Sequence, residues 1–180
     1  MEFYTEPHHD ADALWQHLKQ AGEPYGLDIF GLDSMHIRRI EASILNAGSD
    51  FDHSTTPYDV GLGMFVDQEK GEFIGQTALK NAPKETRLIG VLCAAKPHID
   101  AAIIIDGQTV GKVTAGAMSP YLKQGIGIAL MLESGYLPNT WVSVGCIDGK
   151  LHKGQLAELP LYDKAGAIQR GKLIEVPARD

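Results

Sequence analysis

Cysteine and aromatic residues are scarce in this chain, and positive charge is nowhere concentrated. Two cysteines among 180 residues rule out a Cys-only zinc site within one chain. Cys93 and Cys146 stand far apart in strand-like sequence and are expected as buried free thiols, not a disulfide. Lys and Arg number 16 against 23 Asp and Glu, a formal net charge of −7. Nucleic acid and anionic membrane surfaces both require clustered cations. The longest basic run is the pair Arg38-Arg39, so neither is an expected partner. No stretch nears the roughly 20 consecutive apolar residues of a membrane helix. The N-terminus is rich in Glu and His, not a basic segment followed by an apolar one. No secretory leader is therefore expected, and the chain is assigned to the cytoplasm.

Catalytic signatures are equally thin. A nucleophile elbow of the form Gly-x-Ser-x-Gly does not occur. Gly125-Ile126-Gly127 lacks the further glycines and the strand–helix setting of a dinucleotide fingerprint. His8-His9-Asp10 resembles a metal clip, but adjacent side chains point apart and no third ligand is evident, so a surface loop or cap is expected. His53, His98 and His152 are single and scattered. No metal site is expected from these residues.

What is present is ordinary globular composition, 44% hydrophobic and 22% charged, with enough apolar material for a core. Glu2 to Glu6 is a strand candidate stopped by Pro7. Asp10 is placed to cap a helix whose Ala11, Leu14, Trp15 and Leu18 follow helical spacing, ended by Gly22 and Pro24. A second helix is expected from Asp33 to about Ser43, and a short third from Gly75 to Asn81. The polar stretch from Gly48 to Thr56 is taken as a domain boundary. Beyond it lie strand-like runs at Leu88–Leu92, Ala101–Ile105, Thr109–Thr114, Ile126–Met131, Trp141–Cys146 and Leu151–Leu159, with Leu173–Val176 as one more candidate. Asp106-Gly107 and Asp148-Gly149 are hairpin signals, because glycine accepts the positive φ of a tight primed turn. Several short strands at this spacing predict a small sandwich or barrel.

Four blocks then carry a resemblance. They are Gly31-Leu32-Asp33-Ser34-Met35-His36-Ile37-Arg38-Arg39-Ile40-Glu41, Thr56-Pro57-Tyr58-Asp59-Val60-Gly61-Leu62-Gly63, Gly71-Glu72-Phe73-Ile74-Gly75-Gln76-Thr77-Ala78-Leu79, and Asp106-Gly107-Gln108-Thr109-Val110-Gly111-Lys112-Val113-Thr114-Ala115-Gly116-Ala117-Met118-Ser119-Pro120. In that order and at those distances they resemble the second half of the glycine-cleavage T-protein family, folate-dependent aminomethyltransferases and their dehydrogenase and demethylase relatives. The resemblance implies an α+β chain in two parts. Residues 1–50 would be the C-terminal part of a folate-binding domain, and residues 54–180 a small antiparallel β-barrel. It implies a one-carbon transferase acting with tetrahydrofolate on a small methylated amine or sulfonium. It also implies about half of a family member, without the aspartate that the family sets beside the reactive folate nitrogen. Such a half is expected to be inactive alone, and to associate with itself or with a separate N-terminal polypeptide. The alternative is a non-catalytic interaction or scaffold module that keeps the barrel without folate.

The resemblance implies three folate-binding positions and no catalytic one. Glu2, followed by Phe3-Tyr4, stands where the family's glutamate meets the pterin ring, whose paired N–H donors suit a carboxylate; otherwise it is an exposed terminal acid. Arg39, in Arg39-Ile40-Glu41, stands where a family arginine lines the folate cavity; otherwise it is a solvated helix charge paired with Glu41 or Ser43. Met64 replaces a common tryptophan wall with a flexible thioether. With His98-Ile99-Asp100 after Pro97 and the family's Val-Thr-Ser-Gly turn read at Val113-Thr114-Ala115-Gly116, these departures point toward the dimethylglycine dehydrogenase and sulfonium demethylase branch. Lys70-Gly71-Glu72-Phe73-Ile74-Gly75-Gln76 also resembles the motif of folate-binding iron–sulfur assembly proteins, but Glu72 replaces its reactive cysteine.

Overall fold

The computed structural model describes residues 3–168 and 170–172. It divides into two compact units, Met1–Leu32 and Asp33–Asp180.

In the first unit, helix α1 (Ala11–Gly22) begins where Asp10 accepts the Ala13 N–H at 2.9 Å. That carboxylate satisfies one of the donors a helix leaves unpaired at its start. Asp12 in the first turn and Lys19 in the last complement the helix dipole. Gly26, at φ 69°, ends the 3-10 turn Glu23–Tyr25. No residue of α1 is buried, and Trp15 is 44% exposed. The strand expected at Glu2–Glu6 does not form in its described part: Phe3–Glu6 joins no ladder. A segment that enters no ladder is not a strand, and Glu6 instead closes a turn with His9, whose N–H donates to Glu6 O at 2.9 Å. Glu2 itself lies outside the described residues.

The second unit holds α2 (Leu32–Glu41), all but its first residue, and a short α3 (Gln76–Asn81). Six strands follow: β1 (Leu88–Cys93), β2 (Ala102–Ile105), β3 (Gln108–Ser119), β4 (Gln124–Met131), β5 (Trp141–Gly145) and β6 (Leu151–Ala157). They close into a barrel in the order β1-β4-β3-β2-β5-β6, every neighbour antiparallel. The expected α+β class with a closed antiparallel barrel is what the chain forms. Closure leaves none of the six strands as an open edge.

The two hairpin signals resolve differently. Asp106 and Gly107 both take positive φ, 48° and 80°, as a primed two-residue turn demands. At the second site only Gly149 does so, at 76°. There the Gly149 N–H donates to Cys146 O and the Cys146 N–H to Lys150 O, closing a wider turn. The predicted Leu173–Val176 strand lies outside the described residues.

Two cores sit on opposite faces of this sheet. The barrel interior is filled from all six strands, among others by Val91, Ile103, Val113, Met131, Val144 and Leu156. The outer face of β3 and β4 carries a second cluster, Ala115, Ala117, Ile126 and Ile128, completed by Ile40 of α2 at 0% exposure. A bulge connects the two. Val113 pairs with Ala129 but Ala115 with Ile128, so Thr114 is an extra residue. Side chains alternate across a strand, and one inserted residue exchanges the faces beyond it. Val113 therefore points inward while Ala115 and Ala117 join the outer cluster. The stretch Val113–Gly116, read from sequence as a turn, is the middle of a 12-residue strand, and β3 runs to Ser119 instead of stopping at Thr114. A turn-like motif and a bulge make similar local demands on the backbone, which is why the pattern misleads.

At one end of the barrel, residues 95–97 press onto glycines. A Cβ on Gly125 would lie 1.9 Å from Ala95 O, and one on Gly116 2.1 Å from Pro97 O. Only glycine permits that approach.

Candidate functional site

The α2 segment is bound to the barrel by two buried carboxylates, at 2% and 0% exposure for Glu41 and Asp50. A buried charge persists only when paired and hydrogen-bonded, and both are. Glu41 accepts from Ser119 Oγ of β3 at 2.6 Å and from Arg38 Nη1 at 3.2 Å. Arg38 continues to the Tyr121 hydroxyl at 2.6 Å, its guanidinium 4.1 Å from that ring's centre. Arg38 is thus partnered on the helix surface.

Asp50 Oδ1 accepts from Thr114 Oγ1 at 2.6 Å. Its Oδ2 accepts from Arg39 Nη1 at 2.7 Å and from the Asn46 N–H at 2.8 Å. The bulge at Thr114 serves this contact, because it turns a hydroxyl out of the sheet toward the loop after α2. Arg39 Nη1 also donates to Ile44 O at 3.3 Å. Arg39 is therefore neither a solvated charge nor paired with Glu41 or Ser43; its side chain is 15% exposed. Its Nε and Nη2 have no partner among the described residues.

Arg39 lines an open cleft of about 570 Å³ with Met35, Ile44, Leu45 and Tyr162 among its walls. The walls are mostly apolar, and a guanidinium at their margin suits a flat molecule bearing a carboxylate or carbonyl edge. Met64 lines a different cleft of about 580 Å³, with Ser43, Leu62, Leu88 and Tyr136. It is 82% exposed. The structure does not bring Arg39 and Met64 into one cleft.

Three anchors escaped sequence reasoning: Asp50, Thr114 and the pair Asp59–Arg87. Asp50 and Asp52 sit in the polar stretch taken as a boundary, where short acids ordinarily signal turns. Asp52 does so, accepting from the Ser54 N–H and hydroxyl. Asp50 does not. Asp59, in the second sequence block, accepts from the Thr56 N–H at 2.7 Å and from Arg87 Nε at 2.8 Å. Burial alone would raise the Asp59 pKa, but these bonds and the Arg87 charge hold it below the usual carboxylate range. Arg87 also donates to Met131 O at 3.1 Å, fastening the block to β4.

Cys93 and Cys146 are free and buried as expected, with sulfurs 3.8 Å apart. Burial pushes the Cys93 thiol up to about 12, with the neighbouring Cys146 adding to the rise.

Residues 1–70 match the family model of the GCVT N-terminal domain, and residues 86–163 match the glycine cleavage T-protein C-terminal barrel domain. An aminomethyltransferase of Streptomyces avermitilis is 35% identical over 173 residues, 89% of this chain and 45% of that protein. One from Clostridium botulinum strain Okra is 38% identical over 138 residues, 73% of this chain and 37% of that protein. The chain spans less than half the length of these relatives. The crystal structure of glycine cleavage system aminomethyltransferase T from Bartonella henselae superposes with a TM-score of 0.71 over 86% of this chain and 44% of that one. At 23% identity that likeness establishes the fold.

Proposed function

This chain belongs to the glycine cleavage T-protein family, and we propose that it serves tetrahydrofolate-dependent one-carbon transfer, carrying an aminomethyl or methyl group from a small donor to the folate. The observation that carries the reading is Arg39, a permanent cation fixed at the edge of an apolar cleft with its Nε and Nη2 donors uncommitted among the described residues. Bound tetrahydrofolate supplies the nucleophilic nitrogen that receives the one-carbon unit. The residues of this chain bind and orient: Arg39 takes an oxygen-bearing edge of the ligand, and Met35, Ile44 and Leu45 exclude water beside it. Holding reactants in place contributes much of the rate in such transfers. Met64 and the Pro97-His98-Ile99-Asp100 segment favour a methylated amine or sulfonium donor over the glycine-derived one.

A second reading rests on the same arginine. Its Nη1 is already committed to Asp50, so the side chain has a structural role without any ligand. This favours an interaction module that keeps the barrel but not folate. Calorimetric titration of the full chain with 5-formyltetrahydrofolate separates the two. Binding at micromolar Kd, weakened about tenfold or more in Arg39→Lys, supports transfer, since lysine keeps the charge but loses the fork. A flat titration for the folded wild-type chain supports the module.

A further inference from the structure

We infer that Asp50 is the positioning residue of the Arg39 site, fixing which edge of the guanidinium a ligand meets. For the ligand's identity the inference rests on the folate reading above; for the geometry it does not. Asp50 is fully buried and both of its oxygens are occupied. Thr114 holds it from the bulge of β3, and the Asn46 N–H holds it from the loop after α2. A carboxylate restrained from two directions transmits its orientation to the arginine it pairs with.

The consequence is a choice of edge. Nη1 carries two hydrogens, directed to Asp50 Oδ2 at 2.7 Å and Ile44 O at 3.3 Å. Nη1 is then saturated, and an end-on grip through Nη1 and Nη2 is closed to a ligand. What remains is the side edge, the parallel N–H groups of Nε and Nη2. That edge accepts two adjacent oxygens or an oxygen beside a ring nitrogen, and a single-point acceptor would use only half of it. Asp50 thereby selects for two adjacent acceptors, a carboxylate or a carbonyl beside an unprotonated ring nitrogen, over an isolated carbonyl. A buried ion pair is by itself weak evidence of stability, since apolar residues of similar volume often serve as well. The pair makes sense here as an orienting device.

The test combines ligand binding with a readout of the arginine itself. Titrating 5-formyltetrahydrofolate into Asp50→Asn is expected to raise Kd about tenfold, the size of a lost charge-assisted hydrogen bond. The same change in an Arg39→Lys background is expected to leave Kd at the Arg39→Lys value. Equal losses in both backgrounds, or an unchanged Kd in Asp50→Asn, overturn the inference. Nitrogen-15 NMR of the Arg39 side chain decides the matter without ligand. The wild-type chain should show a protected Nη1 signal that exchanges rapidly in Asp50→Asn and partially in Thr114→Val, with β3 and β4 amides unmoved. An Nη1 signal equally protected in both variants overturns the inference. If Asp50→Asn does not fold, Thr114→Val carries the comparison. A wild-type chain that shows the protected signal but binds no folate refutes the folate reading and leaves Asp50's role standing.

Discussion

Helices α1 and α2 have reversed fortunes. α1 has the better start, with an Asp10 cap, a complementary charge at each end and a clear apolar stripe, yet none of its residues is buried. α2 has two adjacent cations, no apolar residue between Ile37 and Ile40, and a left-handed residue soon after its end, Ser43 at φ 58°. It nevertheless buries Ile40 completely and is tied to β3 through Glu41 and, across the following loop, Asp50. Local signals determine whether a helix forms, whereas partners determine whether it is held.

The contrast between the helices is most exposed to mutation at Ile40. Ile40→Ala empties a fully buried site in the outer cluster and is expected to cost about 3 kcal/mol. Trp15→Ala on the half-exposed face of α1 should cost less than about 1 kcal/mol. Urea unfolding of both variants measures the difference, and equal costs would erase the distinction between the helices. A smaller effect comes from pH. Asp59 has a folded pKa below its ordinary value, so its contribution is present above the usual carboxylate pKa of about 4. It is lost as pH falls through the folded value. Asp59→Asn should cost roughly 1–2 kcal/mol at neutral pH, and its urea midpoint should fall less steeply with acid than that of the wild type. The smallest effect is a gain. Ser43 pairs positive φ with a buried hydroxyl that has no partner among the described residues. Ser43→Gly relieves both and should stabilise by about 0.5–1 kcal/mol in thermal melts.

Most of the barrel was legible because its strands are short apolar runs punctuated by Asp-Gly pairs, and each such run between Leu88 and Leu159 became a strand within a few residues. The bulge at Thr114 was not, since it depends on what β4 places opposite, at Ala129 and Ile128. Arg39 was singled out by resemblance, as Arg-Ile-Glu in a helix, but its partner was not. Asp50 lies 11 residues away in a stretch whose composition signals turns. A carboxylate that caps a turn and one that anchors an arginine look alike until the strand bearing Thr114 folds beneath it. Phe3–Glu6 misled for the opposite reason: its residues suit a strand, but among the described residues it joins no ladder.

Native-state hydrogen exchange tests most directly whether α2 belongs energetically to the barrel. The amides of Ile40, Glu41 and Ala42 are predicted to exchange with the opening free energy of β3 and β4, while those of α1 exchange much faster. If α2 instead exchanges along with α1, well ahead of the barrel strands, the two buried carboxylates do not hold it, and the account built on Arg39 and Asp50 is contradicted.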